Sequence, residues 1–452
     1  MENLRILEIQ ISDLFGELSY DIKLPIENPI SIITAPNGRG KTTLLNLISF
    51  VFKPSYPTFS AVRSVPFSVF RCVLSNGKTV ELKKAELDPV ALEKFVRLIR
   101  PTVMREQTMS RIRSVFESGD FTFSVYCGKK QASDPMVFSH ALVEANNMDP
   151  MEYIDEDDEE FYNYRAQRSF QSRFVYIWKE MAKTLRECSC DIPVNFIKAD
   201  RIQPVTLGPS RMRDYEEPHQ ESPLNLASKK IGELITAATD KYYDAVSQAK
   251  DKLPKMFLED EGGDLSDDEF MGGWYDYRRE LTQFQDIGLI TPTEDFIQGK
   301  DIHSVYPKKG KFLSTYLWAF RDTTEPLRGI YERLNLFKSI LDERNAITGK
   351  KVSFSREGVK LSVGEREIKL ETLSSGEKHD FIMFYNLLLG SATNGLVLVD
   401  EPEISLHIEW QETYLDKLIA ICKMNGLQAV IATHSPNIVS SHYDFLVDKG
   451  ET

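Results

Sequence analysis

Two stretches at opposite ends of this 452-residue chain carry residues suited to phosphate chemistry. Ala35-Pro36-Asn37-Gly38-Arg39-Gly40-Lys41-Thr42, with Thr43 beside it, has the spacing of a phosphate-binding loop. In such a loop, backbone amides of the Asn37, Gly38 and Gly40 segment and a helix N-terminus cradle phosphate oxygens. Lys41 would reach the outer phosphates, and the Thr42 hydroxyl would bind Mg²⁺. Ala35 stands where the usual pattern has its first glycine, which costs little if φ is negative there. Far downstream, Leu396-Val397-Leu398-Val399 is apolar without a break and suits a strand buried on both faces. Asp400 and Glu401 end it. Two carboxylates at a strand's carboxyl end suit two tasks: Asp400 holds Mg²⁺, and Glu401 takes a proton from an attacking water. The ordinary alternative, a solvated acidic turn, loses weight once a P-loop lies upstream.

Two further segments point to the same site. His434 follows a second apolar run, Ala429-Val430-Ile431-Ala432, where it can contact a γ-phosphate and orient water. Leu373-Ser374-Ser375-Gly376-Glu377-Lys378 opens a helix about 25 residues before Asp400. Ser374 and Glu377 have capping-box spacing. The same geometry lets Ser374, Ser375, Gly376 and Glu377 present a helix N-terminus to phosphate. Asp200 and Arg201 are even between a nucleotide contact and a surface ion pair. Gln107 and Gln203 are guesses for a nucleotide-sensing glutamine.

The elements that must position these residues are legible in part. Leu7, Ile9 and Ile11 alternate with polar residues, Tyr20 to Leu24 alternates again, and Ile30-Ser31-Ile32-Ile33 runs into the loop. Thr42 to Val51 has helical spacing. Phe67 to Leu82 reads as a hairpin turning at Asn76-Gly77. Val194 to Ile197 is another strand candidate. Residues 224–257 read as a helix with a stripe of Ile231, Leu234, Ala238, Tyr242, Ala245 and Ala249. A second stripe runs through Leu327, Ile330, Leu334, Phe337 and Leu341, so the two helices are expected to pack as an antiparallel arm. Glu259 to Glu269 reads as an acidic loop, and Val352 to Leu370 as a strand pair. Lys94 to Arg113 is basic, and Ile154 to Glu160 acidic.

Bulk composition sets the limits. With 42% hydrophobic and 27% charged residues, the chain is expected to be globular. A net charge of -13 argues against wholesale coating of nucleic acid, although a local basic patch is compatible with it. Five scattered cysteines suit a reducing cytosol, and Cys188-Ser189-Cys190 lacks zinc-site spacing. No run of 18 apolar residues exists, so a cytoplasmic protein without a membrane span is expected.

The four motifs in this order resemble the ABC-type ATPases of the SMC, RecF and OLD group, on Ala35 to Thr43, Leu373 to Lys378 and Leu396 to Pro436. Asp400-Glu401-Pro402-Glu403-Ile404-Ser405-Leu406-His407 is similar to that group's Walker B and D-loop. The resemblance implies an α/β fold: an ABC-ATPase head, a P-loop NTPase core with an N-terminal antiparallel β lobe, plus a mainly helical insertion arm. It implies a head over 1–215 with an irregular insertion at about 86–190, an arm over 216–349, and the rest of the head over 350–452. It implies ATP and Mg²⁺, slow regulatory turnover, and head-to-head dimers or higher assemblies in which Ser374 and Gly376 reach the partner's nucleotide.

Within the group, the chain is most similar to ATPase subunits of bacterial anti-phage systems, those of PARIS first and of Septu and retron-associated systems second. That likeness rests on Thr34 to Gly38, Ala199-Asp200-Arg201, Tyr277 to Ile290 and Leu373 to Lys378. It implies a phage-derived trigger and a nuclease or toxin effector. Only 18 residues follow His434, so that effector is expected to be a separate chain. The competing readings are a DNA-repair ATPase, favoured by the basic Lys94 to Arg113 stretch, and an ATP-binding scaffold with little turnover. A transport motor ranks last, because the gap between P-loop and signature is too large.

Overall fold

The computed structural model describes residues 4–25, 27–36, 38–54, 58, 62, 65–86, 121–127, 130–131, 136–138, 182–198, 222–259, 265–291, 302–346, 348–390, 393–406, 408–447 and 449–450. The chain divides into two compact units, Met1–Asp200 with Ser391–Thr452, and Arg201–Gly390. The first unit opens with β1 (Ile6–Leu14), β2 (Leu18–Lys23), β3 (Ile30–Thr34) and α1 (Lys41–Phe52). It continues with β4 (Val69–Leu74), β5 (Thr79–Glu86), β6 (Phe121–Cys127), β7 (Lys130–Gln131), β8 (Met136–Phe138) and β9 (Val194–Lys198). The second unit holds α2 (Pro223–Leu258), α3 (Asp267–Asp286), α4 (Ile302–Phe320), α5 (Glu325–Arg344), β10 (Lys350–Ser355), β11 (Gly358–Val363), β12 (Arg366–Ile368) and α6 (Ser375–Tyr385). The chain then completes the first unit with β13 (Leu396–Asp400), α7 (Ile408–Asn425), β14 (Gln428–Thr433), α8 (Pro436–Val439) and β15 (Lys449–Gly450).

Two sheets build the first unit, giving an α/β P-loop core with an antiparallel lobe. The parallel sheet has the order β3-β14-β13-β9. Every residue of β13 and β14 is buried, as their unbroken apolar runs require. The antiparallel sheet runs β15-β2-β1-β4-β5-β6-β7, with β8 paired to β6. Helix α1 joins them, because Leu44, Leu47, Ile48 and Val51 share one core with Ile9 of β1, Phe70 of β4, and Leu398 of β13. Strand β1 departs from simple alternation. A register shift between Ile6 and Glu8 buries Ile6 and leaves Leu7 only half-buried, where alternation alone selects Leu7. Strand β6 pairs with β5 inside the stretch read as irregular. The basic segment 94–113 and the acidic run 154–160 lie outside the described residues.

Among its described residues the second unit has four long helices where the sequence pointed to two. Its α2 stripe is also rotated from the expected one. Ile231, Ile235, Thr239 and Tyr242 face inward and Leu234 is 40% exposed: helical spacing admits both 234 and 235 after Ile231, and packing selects 235. Asp267, Asp268 and Glu269 belong to the first turn of α3, not to a loop. Ser266 and Glu269 close a capping box there, and acids suit the positive end of the helix dipole. Phe270 of α3 stacks on Tyr306 of α4 at 4.1 Å between centroids, within an aromatic core that includes Trp274. The expected strand pair is a three-stranded sheet, β10-β11-β12. Its β11 end meets α2 closely: a Cβ on Gly358 would lie 2.5 Å from the Ser228 carbonyl oxygen.

Candidate functional site

Parallel register aligns the carboxyl ends of three strands, the edge where open α/β sheets place their ligands. Asp400 pairs with Ala432, and Thr433 with Thr34, so the P-loop, Asp400-Glu401 and His434 leave the sheet side by side. Gly38 and Gly40 both have positive φ, 83° and 75°. At Gly40 a Cβ would also meet the Phe15 ring at 2.7 Å, so two constraints demand glycine. Ala35 has no positive φ, which explains why it can replace the first glycine. Among the described residues no side chain caps α1, so its first-turn amides are left to the loop. The buried Lys41 donates through Nζ to the carbonyl oxygens of Ala35 (2.7 Å) and Pro36 (3.3 Å). Tyr20 braces the loop from β2 by donating to the Arg39 carbonyl at 2.8 Å. Thr43 lies half-buried behind Thr42; Asn37 falls outside the described residues, as do Gln107, Asp200, Arg201 and Gln203.

Asp400 is only 7% exposed and accepts a hydrogen bond from the Thr42 hydroxyl. Its Oδ1 is buried with no hydrogen-bond partner among the described residues. Burial holds this carboxyl above the usual aspartate range; nearby Glu401 adds to the effect, and the Thr42 hydroxyl, Lys198 and Lys41 oppose it. A buried acceptor left open beside a threonine hydroxyl is a donor set that fits a divalent cation. Glu401 takes a left-handed backbone, φ 46°, unusual for a residue with a side chain. Its amide donates to the Ala432 carbonyl at 2.8 Å, which ties the turn to β14. His434 Nδ1 lies 3.6 Å from Glu401 Oε1 and 3.1 Å from Glu403 Oε1.

Ser374, Ser375, Gly376 and Glu377 belong to the second unit. Ser374 caps α6, and its hydroxyl accepts from the Glu377 amide at 3.3 Å. The Glu377 carboxylate accepts from the Ser374 amide at 2.6 Å and from Lys350 Nζ at 2.7 Å. Burial alone would raise this carboxyl, but the Lys350 and Ser374 hydrogen bonds together hold it below the usual range. The capping box is therefore fully formed, and α6 begins with backbone amides at Ser375 and Gly376 that no helical turn satisfies.

Sequence reasoning overlooked two residues. Lys198 pairs in register with Asp400 and acts on its charge. Glu403 is buried against the end of β14. The signal for Glu403 was present in Asp400-Glu401-Pro402-Glu403, but its partners lie on a strand about thirty residues later.

Residues 302–440 match a family model described as "AAA domain, putative AbiEii toxin, Type IV TA system". That segment is under half of the chain and runs from α4 through Ser374 to Glu377 and Asp400-Glu401 to α8. A comparison with curated proteins returns no match. Among solved structures, the chain is similar to the Smc head domain with an extended coiled coil, bound to the C-terminal domain of ScpA, from Pyrococcus furiosus. The identity is 11%, over 96% of this chain and 91% of that chain, with a TM-score of 0.34. A SmcHead bound to the C-winged helix domain of ScpA is similar at 11% identity, over 96% and 90% of the two chains, also with a TM-score of 0.34. Superpositions this loose carry no argument about mechanism. Among the described residues, no helix is long and apolar enough to cross a membrane.

Proposed function

We propose that this chain binds ATP with Mg²⁺, hydrolyses it slowly, and uses the cycle to restrain or release a separately encoded effector in anti-phage defence. The observation that carries the nucleotide reading is the buried, unpartnered Asp400 oxygen beside Thr42, at the strand edge that also holds Lys41, Glu401 and His434. Thr42 and Asp400 would hold Mg²⁺, which supplies positive charge against phosphate oxygens. Lys41 and the uncapped amides of α1 would bind the phosphates. Glu401 would accept the proton of the attacking water, a role worth about 10²- to 10⁴-fold in rate. His434 would orient that water.

A second copy of the chain would complete the site by bringing its Ser374, Ser375 and Gly376 amides to the outer phosphate. Gly376 supports this. Its φ is not positive, and a Cβ there would meet nothing within 4 Å among the described residues, so neither backbone strain nor internal packing calls for glycine. The defence role draws support from the family model, whose description names a putative toxin and a toxin–antitoxin system. The test is purification of tagged wild-type and Glu401→Gln chains with the products of adjacent genes, in ATP and Mg²⁺. A nuclease-like partner retained by the ATP-locked variant supports the reading. No partner, with turnover that rises on DNA, overturns the effector reading in favour of DNA repair. No ATP binding by either chain overturns the nucleotide reading itself.

A further inference from the structure

We infer that Glu403 is a positioning residue that holds the His434 ring with Nδ1–H turned onto its carboxylate, which leaves Nε2 as the nitrogen available to nucleotide and water. The inference rests on the proposed nucleotide site and deepens it. Glu403 lies in a short 3₁₀ turn, Pro402–Ser405, directly after the Asp400-Glu401 pair. Its side chain is 7% exposed, against 41% for His434. Burial does not confine the ring, so its neighbours must.

Those neighbours are two glutamates with different geometry. Both are ion-pair contacts to Nδ1: Glu401 Oε1 lies 3.6 Å away and Glu403 Oε1 3.1 Å. Glu403 is itself fixed. Its Oε1 also accepts the His434 backbone amide at 2.9 Å, and its Oε2 accepts the Thr433 hydroxyl at 2.9 Å. Thr433 Oγ1 in turn accepts the Ser435 amide at 3.0 Å. The Ser435 hydroxyl donates to Gln411 Oε1 at 2.7 Å, and Gln411 Nε2 donates back to the Leu406 carbonyl at 3.1 Å. This closed circuit ties the turn after β13 to the exit of β14.

The approach is an ion-pair contact, not a formed hydrogen bond; at 3.1 Å a carboxylate oxygen favours a proton on Nδ1 over a second lone pair facing it. A neutral ring then carries its lone pair on Nε2. Two glutamates two residues apart thereby divide the work: the anchored Glu403 carboxylate lies nearer the ring and fixes it, and Glu401 lies farther from it.

The test combines steady-state ATP hydrolysis with nitrogen-15 NMR of the His434 ring. Wild-type chain is expected to show the Nδ1–H tautomer. Glu403→Ala should lose that tautomer and lower kcat by about 10- to 100-fold, as other carboxylate–histidine supports do, with KM unchanged. Glu403→Gln, which keeps an oxygen for Nδ1–H, should recover most of the rate. In a His434→Ala background, Glu403→Ala should cost little more, because the two act as one unit. An Nε2–H ring in the wild type overturns the inference, as does an equal Glu403→Ala penalty with and without His434. Should Glu403→Ala fail to fold, Glu403→Gln and the wild-type tautomer still decide. Should the wild type hydrolyse no ATP, the proposed function fails while the tautomer still tests the inference.

Discussion

The Asp400 carboxylate at the end of β13 and the Glu377 carboxylate at the start of α6 are both largely withdrawn from water, yet the fold treats them in opposite ways. Glu377 is saturated: Lys350 and both the amide and hydroxyl of Ser374 reach it, and its carboxyl sits below the usual range. Asp400 keeps one buried oxygen without a partner among the described residues, and its carboxyl sits above the usual range. A satisfied acid stabilises the element that carries it. An unsatisfied one costs stability, which is tolerated where a ligand supplies the missing charge. The difference makes Glu377 a support for the helix start around it, whereas the open Asp400 oxygen is the observation on which the proposed Mg²⁺ contact rests.

The largest effect that sharpens this contrast is expected at the neighbour of Asp400. Glu401→Gln should lower phosphate release by about 10²- to 10⁴-fold while calorimetric ATP binding persists. If the rate is unchanged, the β13 end is not the reacting site. Asp400→Asn should remove Mg²⁺-dependent turnover and yet melt higher than wild type. The sign follows from linkage. A folded-state carboxyl above its unfolded value holds its proton more tightly when folded, so stability falls as pH rises through the folded value. Melting curves should therefore show the largest gain near pH 8, closing toward about pH 4, the ordinary aspartate range.

On the α6 side the signs reverse. Lys350→Met should cost about 1–2 kcal/mol in urea unfolding, since it strips a charged hydrogen-bond partner from a half-buried carboxylate. A depressed carboxyl contributes its stability above its unfolded value and loses it as pH falls through the folded one. The Lys350→Met penalty should accordingly shrink in acid. Gly376→Ala is the smallest change. It should stabilise α6 by about 0.5–1 kcal/mol, the usual gain from replacing a helical glycine, and still reduce cooperative ATP turnover. Unaltered turnover in Gly376→Ala would break the proposed contact with a second copy.

Continuous apolar runs made β13, β14 and α1 legible, because a strand or helix buried all round leaves little room for polar residues until it ends. The ends themselves placed Asp400 and His434. What pattern could not give is a matter of choosing between neighbours. Leu7 and Ile6 are equally apolar, and only the β1 register shift selects Ile6. Leu234 and Ile235 fit almost the same helical stripe, and packing selects Ile235. Glu403 looks like one more acid in a solvated turn until Thr433 and His434 arrive from another strand. Lys198 reads as a strand-end lysine, and its influence on Asp400 exists only through the parallel pairing of β9 with β13.

The order β3-β14-β13-β9 has a consequence for how the chain is born. Among the described residues of that sheet, β3 pairs with β14, a strand that begins at Gln428. The buried Gln428 amide also locks onto the backbone of Ile6, donating to its carbonyl at 2.6 Å and accepting its amide at 2.8 Å, across 422 residues of sequence. Strands β1, β2, β4 and β5 can pair with one another as they emerge, but β3 waits, with Ile30, Ile32 and Ile33 on an open edge, until β14 has been made. A message cut short before residue 428 would leave that strand edge unpaired, an adhesive surface for the cell's quality control to clear.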